Sequence, residues 1–166
     1  MEMSNLILNN PSSIATLMEI AFQVDDPVSC KACWVLEFSS KEHLTYLFPC
    51  MDTFVHNIGS VHLDSAVRPI AKICEILMKS YFQFKDQETR DTLNEKHLES
   101  ITSACFDWLI GDHKVAAQAY SMTSLLLLGS KFNWIHPELR IILEQNYQNG
   151  SAAYKARARM TLAKLR

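Results

Sequence analysis

Glycine and proline are scarce, four and five in 166 residues, too few turn formers for a fold of many short strands. Long apolar runs are missing too. Leu125 to Leu128 is only four residues, against the roughly 20 that a bilayer-spanning helix needs, so no membrane association is expected. Neither of the usual glycine-rich phosphate loops occurs. Met1 to Asn5 carries no basic segment, and Leu6-Ile7-Leu8 is too short for a signal core, so a cytoplasmic location is expected. The five cysteines (Cys30, Cys33, Cys50, Cys74 and Cys105) are odd in number and set in apolar surroundings. They read as reduced, buried thiols rather than a disulfide framework. Cys30-x-x-Cys33 has no second cysteine pair and no His-x-x-x-His to complete a zinc site, so neither metal nor cofactor is expected. The six histidines are dispersed, and no Ser–His–Asp order stands out.

What is present describes a globular chain, 48% hydrophobic and 20% charged, long enough to bury a core without staples. Net charge is −2, which gives no overall pull toward nucleic acid. The charge is unevenly spread. Residues 151–166 hold Lys155, Arg157, Arg159, Lys164 and Arg166 and no acid, whereas the remainder holds 11 basic and 18 acidic residues. Such a basic last helix either compensates its own macrodipole or binds an anionic partner.

Helical periodicity runs through the chain. After Asn10-Pro11-Ser12-Ser13, Ile14, Leu17, Met18, Ala21 and Phe22 recur at helical spacing; Asp25-Asp26-Pro27 ends that helix, and Val28, Ala32, Val35 and Leu36 define the next. A pattern D-x-x-V-x-x-x-A then repeats: Asp25/Val28/Ala32, Asp64/Val67/Ala71, Asp112/Val115/Ala119 and, degenerately, Ser151/Tyr154/Ala158, at spacings of 39, 48 and 39 residues. The Asp or Ser is expected to cap a helix, and the small Ala to admit a neighbouring helix closely. Tyr46-Leu47-Phe48-Pro49 and Trp134-Ile135-His136-Pro137 match 88 residues apart, while Ala32 and Ala119, like Ala71 and Ala158, lie 87 apart. These intervals predict a tandem duplication of a two-hairpin unit, with hairpins at about 10–40, 44–82, 96–131 and 135–165. The polar stretch 83–96 serves as a solvated connector.

A two-helix period near 40 residues with this capping-Asp, Val, Ala signature resembles the second helices of HEAT repeats. Taken over most of its length, the chain resembles a set of small bacterial HEAT-like (armadillo-type) repeat proteins, some of them labelled adenylosuccinate lyase. The resemblance implies an all-α fold, a right-handed α-solenoid of four HEAT-like hairpins with the second helices on its concave wall. It also invites comparison of Gly150-Ser151-Ala152-Ala153-Tyr154-Lys155 with the G-S-S-x-M-P-x-K-x-N-P loop of the lyases. Here the second serine, Met-Pro and Asn-Pro are missing, and the stretch reads as a helix start capped by Ser151.

No catalytic set emerges, and the expected role is a non-enzymatic module that binds a protein segment. Four and eight residues after each cap lie Ser29 and Cys33, Arg68 and Lys72, Ala116 and Tyr120, Lys155 and Arg159. Arg68, Lys72, Tyr120, Lys155 and Arg159 are therefore the candidate binding residues, suited to a protein or acidic peptide. Nucleic acid is the alternative partner. HEAT-like DNA glycosylases combine a basic surface with aromatics and a carboxylate, for which Trp34, Trp108, Trp134 and Tyr120 with Asp107 or Asp112 would stand. Against this, Trp108 sits at core spacing with Ile101 and Cys105, and the acidic body repels phosphates.

Overall fold

The computed structural model describes residue 5 and residues 9–165. Among the described residues there are nine α-helices and no strand. They are α1 (Ile14–Ala21), α2 (Val28–Glu42), α3 (Met51–Asn57), α4 (Asp64–Met78), α5 (Gln87–Thr92), α6 (Glu95–Ile110), α7 (Val115–Leu128), α8 (Ile135–Asn146) and α9 (Ala152–Lys164). The 3₁₀ turns Pro11–Ser13, Leu44–Cys50 and Ile58–Ser60 lead into or out of the shorter helices, and a π turn, Lys79–Gln83, prolongs α4.

The helices that carry the repeated Val/Ala positions pack in chain order: α2 on α4, α4 on α7, and α7 on α9. Of the other helices, α1 lies on α2, α6 on α7, and α8 on α7 and α9, while α3 packs on α6 and α5 on the Leu44–Cys50 and Lys79–Gln83 turns. Ala32, Ala71, Ala119 and Ala158 are all buried, as the close approach of neighbours requires. The apolar position of the repeat is less regular: Val67 and Tyr154 are buried, Val115 is half-buried, and Val28 is exposed. One cluster of buried apolar side chains extends from Ile14 to Leu165. Trp108, Phe54, Leu36, Ile70 and Leu98 belong to it, each contributing roughly 1.5–3 kcal/mol by leaving water.

Helix ends are settled differently from the sequence expectation. Ser151 caps α9, its Oγ accepting from Tyr154 N–H at 3.1 Å. The repeated aspartates do not cap. The N–H of Val28 donates to Asp26 Oδ1 at 2.9 Å, Asp64 is itself the first residue of α4, and α7 follows Lys114 with no side-chain cap. Asp25 instead accepts from His62 Nε2 at 2.7 Å, and Asp64 Oδ1 lies 3.3 Å from His113 Nδ1. Each of these aspartates thus reaches a histidine at the entrance of the next row helix, tying neighbouring helix starts together.

The polar stretch 83–96 contains α5. Asp86 caps it, accepting from the Thr89 N–H at 3.0 Å and the Thr89 hydroxyl at 2.8 Å; these bonds hold the Asp86 carboxyl below its usual range. Thr89 and Leu93 are buried, so the stretch is anchored rather than merely solvated. Asn94 and His97 then form a reciprocal capping box for α6. His97 Nδ1 accepts from the Asn94 N–H, which leaves Nε2 to donate to Asp52 of α3.

Cys33, Cys74 and Cys105 are buried, while Cys30 and Cys50 are half-buried. Cys33 donates to the Ala21 carbonyl at 3.6 Å. Burial, with Cys30 as a lesser cause, pushes the Cys33 thiol up to about 12, and burial does the same for Cys105. These thiols stay protonated and unreactive at neutral pH.

Candidate docking face

The candidate site is the face of the helix row that α1, α6 and α8 leave open. At one end stands Trp34 of α2, 56% exposed although it is one of only three tryptophans. Its position follows from a proline. Pro69 lies inside α4 and has no N–H, so the Ser65 carbonyl four residues back loses its usual helical donor. Trp34 Nε1 donates to that carbonyl at 3.1 Å. Arg68, one turn along α4, then places its guanidinium 5.6 Å from the indole centroid. Trp34→Phe, which keeps an aromatic ring but deletes the donor, should cost about 1 kcal/mol in urea unfolding. In a Pro69→Ala background, where the helix supplies its own donor, the cost should largely vanish; equal costs in both backgrounds would refute the coupling.

Two carboxylates are sunk into the face. Glu37 accepts from Lys41 at 2.6 Å and lies 3.5 Å from Arg68. Glu75 is only 3% exposed and sits 2.6 Å from Lys72 and 3.4 Å from Lys79. Lys72 also lies 4.8 Å from the Tyr120 ring centroid, joining α4 to α7. Farther along, Arg157 of α9 donates to the Thr123 hydroxyl at 2.9 Å and lies 3.5 Å from the Ala119 carbonyl. Two hollows open on this face. Trp34, Val35, Phe38, Lys41 and Arg68 line one of about 390 Å³. Lys79, Thr123, Leu127, Arg157, Met160 and Lys164 line another of about 350 Å³.

Of the residues chosen by sequence offset, Lys72 meets Tyr120, while Arg68, one turn earlier on α4, lies against Trp34 and Glu37. Lys155 and Arg159 do not join them: Arg159 donates to the Tyr147 hydroxyl at 3.1 Å, and Lys155 Nζ is 5.9 Å from the same ring. Ser29 and Cys33, from the first copy of the pattern, are fully buried. A fixed offset from the repeated Asp or Ser aligns side chains only if every helix has the same rotation about its axis. The end helices differ. α2 turns Ser29 and Cys33 inward beside α1, and α9 turns Lys155 and Arg159 toward Tyr147 while offering Arg157 to α7. Sequence reasoning named Trp34 only for the nucleic-acid alternative and Arg157 only as part of the basic last helix, and missed Glu37, Glu75 and Lys79 as parts of this face. Pro69 inside a helical pattern was the available signal for Trp34.

No family model, curated protein or solved structure matches the chain. The reading of this face rests on its chemistry. The four row helices contain eight basic and four acidic residues, and the rest of the chain eight basic and fourteen acidic. The row's excess of positive charge is α9's, since α2 and α4 each hold two basic and two acidic residues and α7 holds none, and the rings beside the row's cations are Trp34 and Tyr120. Trp134, also exposed, lies elsewhere, stacked 5.6 Å from Phe106 of α6. Trp108 is buried in the core. Among the described residues, no helix is long and apolar enough to cross a membrane.

Proposed function

We propose that the chain is a non-enzymatic interaction module of the cytoplasm that docks an acidic protein segment across the face formed by α2, α4, α7 and α9. In this reading the architecture is a HEAT-like right-handed α-solenoid of four hairpins, and the docking face is its concave wall. The sequential packing of the row and the Asp25–His62 and Asp64–His113 links between successive helix starts support the repeat reading. One observation carries the functional one: the row has a net positive charge, supplied by α9, and presents the exposed Trp34 against Arg68, while the remainder of the chain is acidic. Arg and Trp side chains in such a setting are the usual anchors of a protein interface.

The test compares two anionic polymers. A roughly 20-residue peptide of alternating Asp/Glu and aliphatic residues and a single-stranded oligonucleotide of equal charge are titrated by fluorescence anisotropy at about 50 and 200 mM salt. The peptide should bind, survive the salt step with a modest loss, and weaken about tenfold in Trp34→Ala and in Arg68→Glu. A tighter oligonucleotide complex with a steep salt slope, and no peptide binding, would replace this reading by a nucleic-acid one.

A further inference from the structure

Cationic groups on the docking face are not equally engaged. Arg68 and Lys41 share Glu37, and Lys72 and Lys79 share Glu75. Arg157 and Lys164 have no carboxylate within ion-pair distance among the described residues, and α9 contains no acidic residue. Arg157, Lys164 and Lys79 converge on the hollow of about 350 Å³ between the π turn, α7 and α9, whose lining includes no acid. The guanidinium of Arg157 is held in place by Thr123, which fixes a planar pair of donors at the mouth. Gln83, set by the π turn, adds an amide, while Leu126, Leu127 and Met160 supply an apolar wall.

We propose that this hollow is a phosphoryl-binding site and that the docked partner is a protein segment bearing a phosphorylated side chain. The inference rests on the docking reading above and names its partner class. A phosphate monoester presents about two negative charges and three acceptor oxygens, which suits Arg157 and Lys164 as the two unengaged cations, with Lys79, 3.4 Å from Glu75, beside them. A nucleic-acid strand would need unengaged cations spaced along the whole row. Elsewhere on this face Lys41 and Arg68 are tied to Glu37 and Lys72 to Glu75, Lys31 stands singly at the Trp34 hollow, and the two unengaged cations that lie together, Arg157 and Lys164, are at the other end. A single localised dianion fits that distribution better than a continuous polyanion.

The experiment uses the full chain and three probes: a degenerate peptide library with a fixed central phosphothreonine, the same library unphosphorylated, and a DNA oligonucleotide of matched charge. The phosphorylated library should bind at least about tenfold tighter than its twin, and inorganic phosphate should compete. Arg157→Gln and, separately, Lys164→Gln should erase the phosphate preference. Lys164 is exposed, so the second variant tests the site without disturbing the bond to Thr123. Arg159→Gln, on the Tyr147 side, should leave the preference intact. Equal binding of both libraries, or equal sensitivity to Arg159→Gln, overturns the phosphoryl site but leaves acidic-segment docking standing. Tighter binding of the oligonucleotide than of the phosphorylated library also overturns it. Failure of both libraries and of the acidic peptide overturns the docking reading as well.

Discussion

Replacing Lys72 and Lys79 together by methionine is expected to lower stability by about 3 kcal/mol, far more than two exposed lysines would ordinarily cost. Glu75 explains the size. Its carboxylate is almost fully buried and is compensated by these two ammonium groups at 2.6 and 3.4 Å. Their removal leaves a buried charge without a partner, and the methionines restore much of the packing but none of the compensation. One further measurement separates this cause from lost packing. Adding Glu75→Met to the pair should recover most of the stability, because removing a whole buried ionic group is often neutral or better. A triple variant no more stable than the double would show that the lysines act by packing instead. Lys72 additionally contacts Tyr120, so the double variant should weaken peptide docking as well as stability, and the triple variant should recover only the stability.

How much of this was legible beforehand depends on the range of the interaction. The helical class followed from few glycines and prolines and from apolar periodicity, both local properties. The buried alanines at 32, 71, 119 and 158 were equally readable, since a small residue repeated on one face has little use except close packing. Asp86 and Thr89 show a local signal overlooked: a capping aspartate three residues before a threonine marks the start of α5 within a stretch that composition alone describes as connector. The repeated aspartates show the opposite limit. As residues preceding helices they fit the capping rule, yet Asp25 and Asp64 bond to histidines 37 and 49 residues away, which no local rule contains. The candidate face divides along the same line. Arg68, Lys72 and Tyr120 could be found by offset because α4 and α7 sit inside the row with a helix on either side. At the ends of the row α1 and α8 supply partners of their own, and there the offset points to Cys33 in the core beside Ala21 and Arg159 on Tyr147. Trp34 depends on a partner in another helix, and Glu75 on a burial that its charge argues against.

Gly129→Ala should cost about 2–3 kcal/mol although nothing in its backbone conformation requires glycine, since its φ is −64°. The constraint is a histidine. A Cβ at position 129 would fall 1.9 Å from His136 Cδ2 and 2.1 Å from Nε2, so the ring must leave. His136 Nε2 donates to the Leu126 carbonyl at 2.8 Å, one of the carbonyls at the end of α7 that have no helical donor, and this bond fixes how α8 departs from α7. Displacing the ring sacrifices the bond and disturbs the packing of α8 in a single step. His136→Ala alone loses only the bond, about 1 kcal/mol. With the ring gone, the methyl group has room, and at this φ an alanine restricts the unfolded chain more than glycine does. Gly129→Ala in the His136→Ala background should therefore be neutral or stabilising by up to about 1 kcal/mol. Urea unfolding of the four proteins gives the cycle directly. If the glycine substitution costs the same with and without the imidazole, the junction between α7 and α8 is held by something other than His136 lying on Gly129.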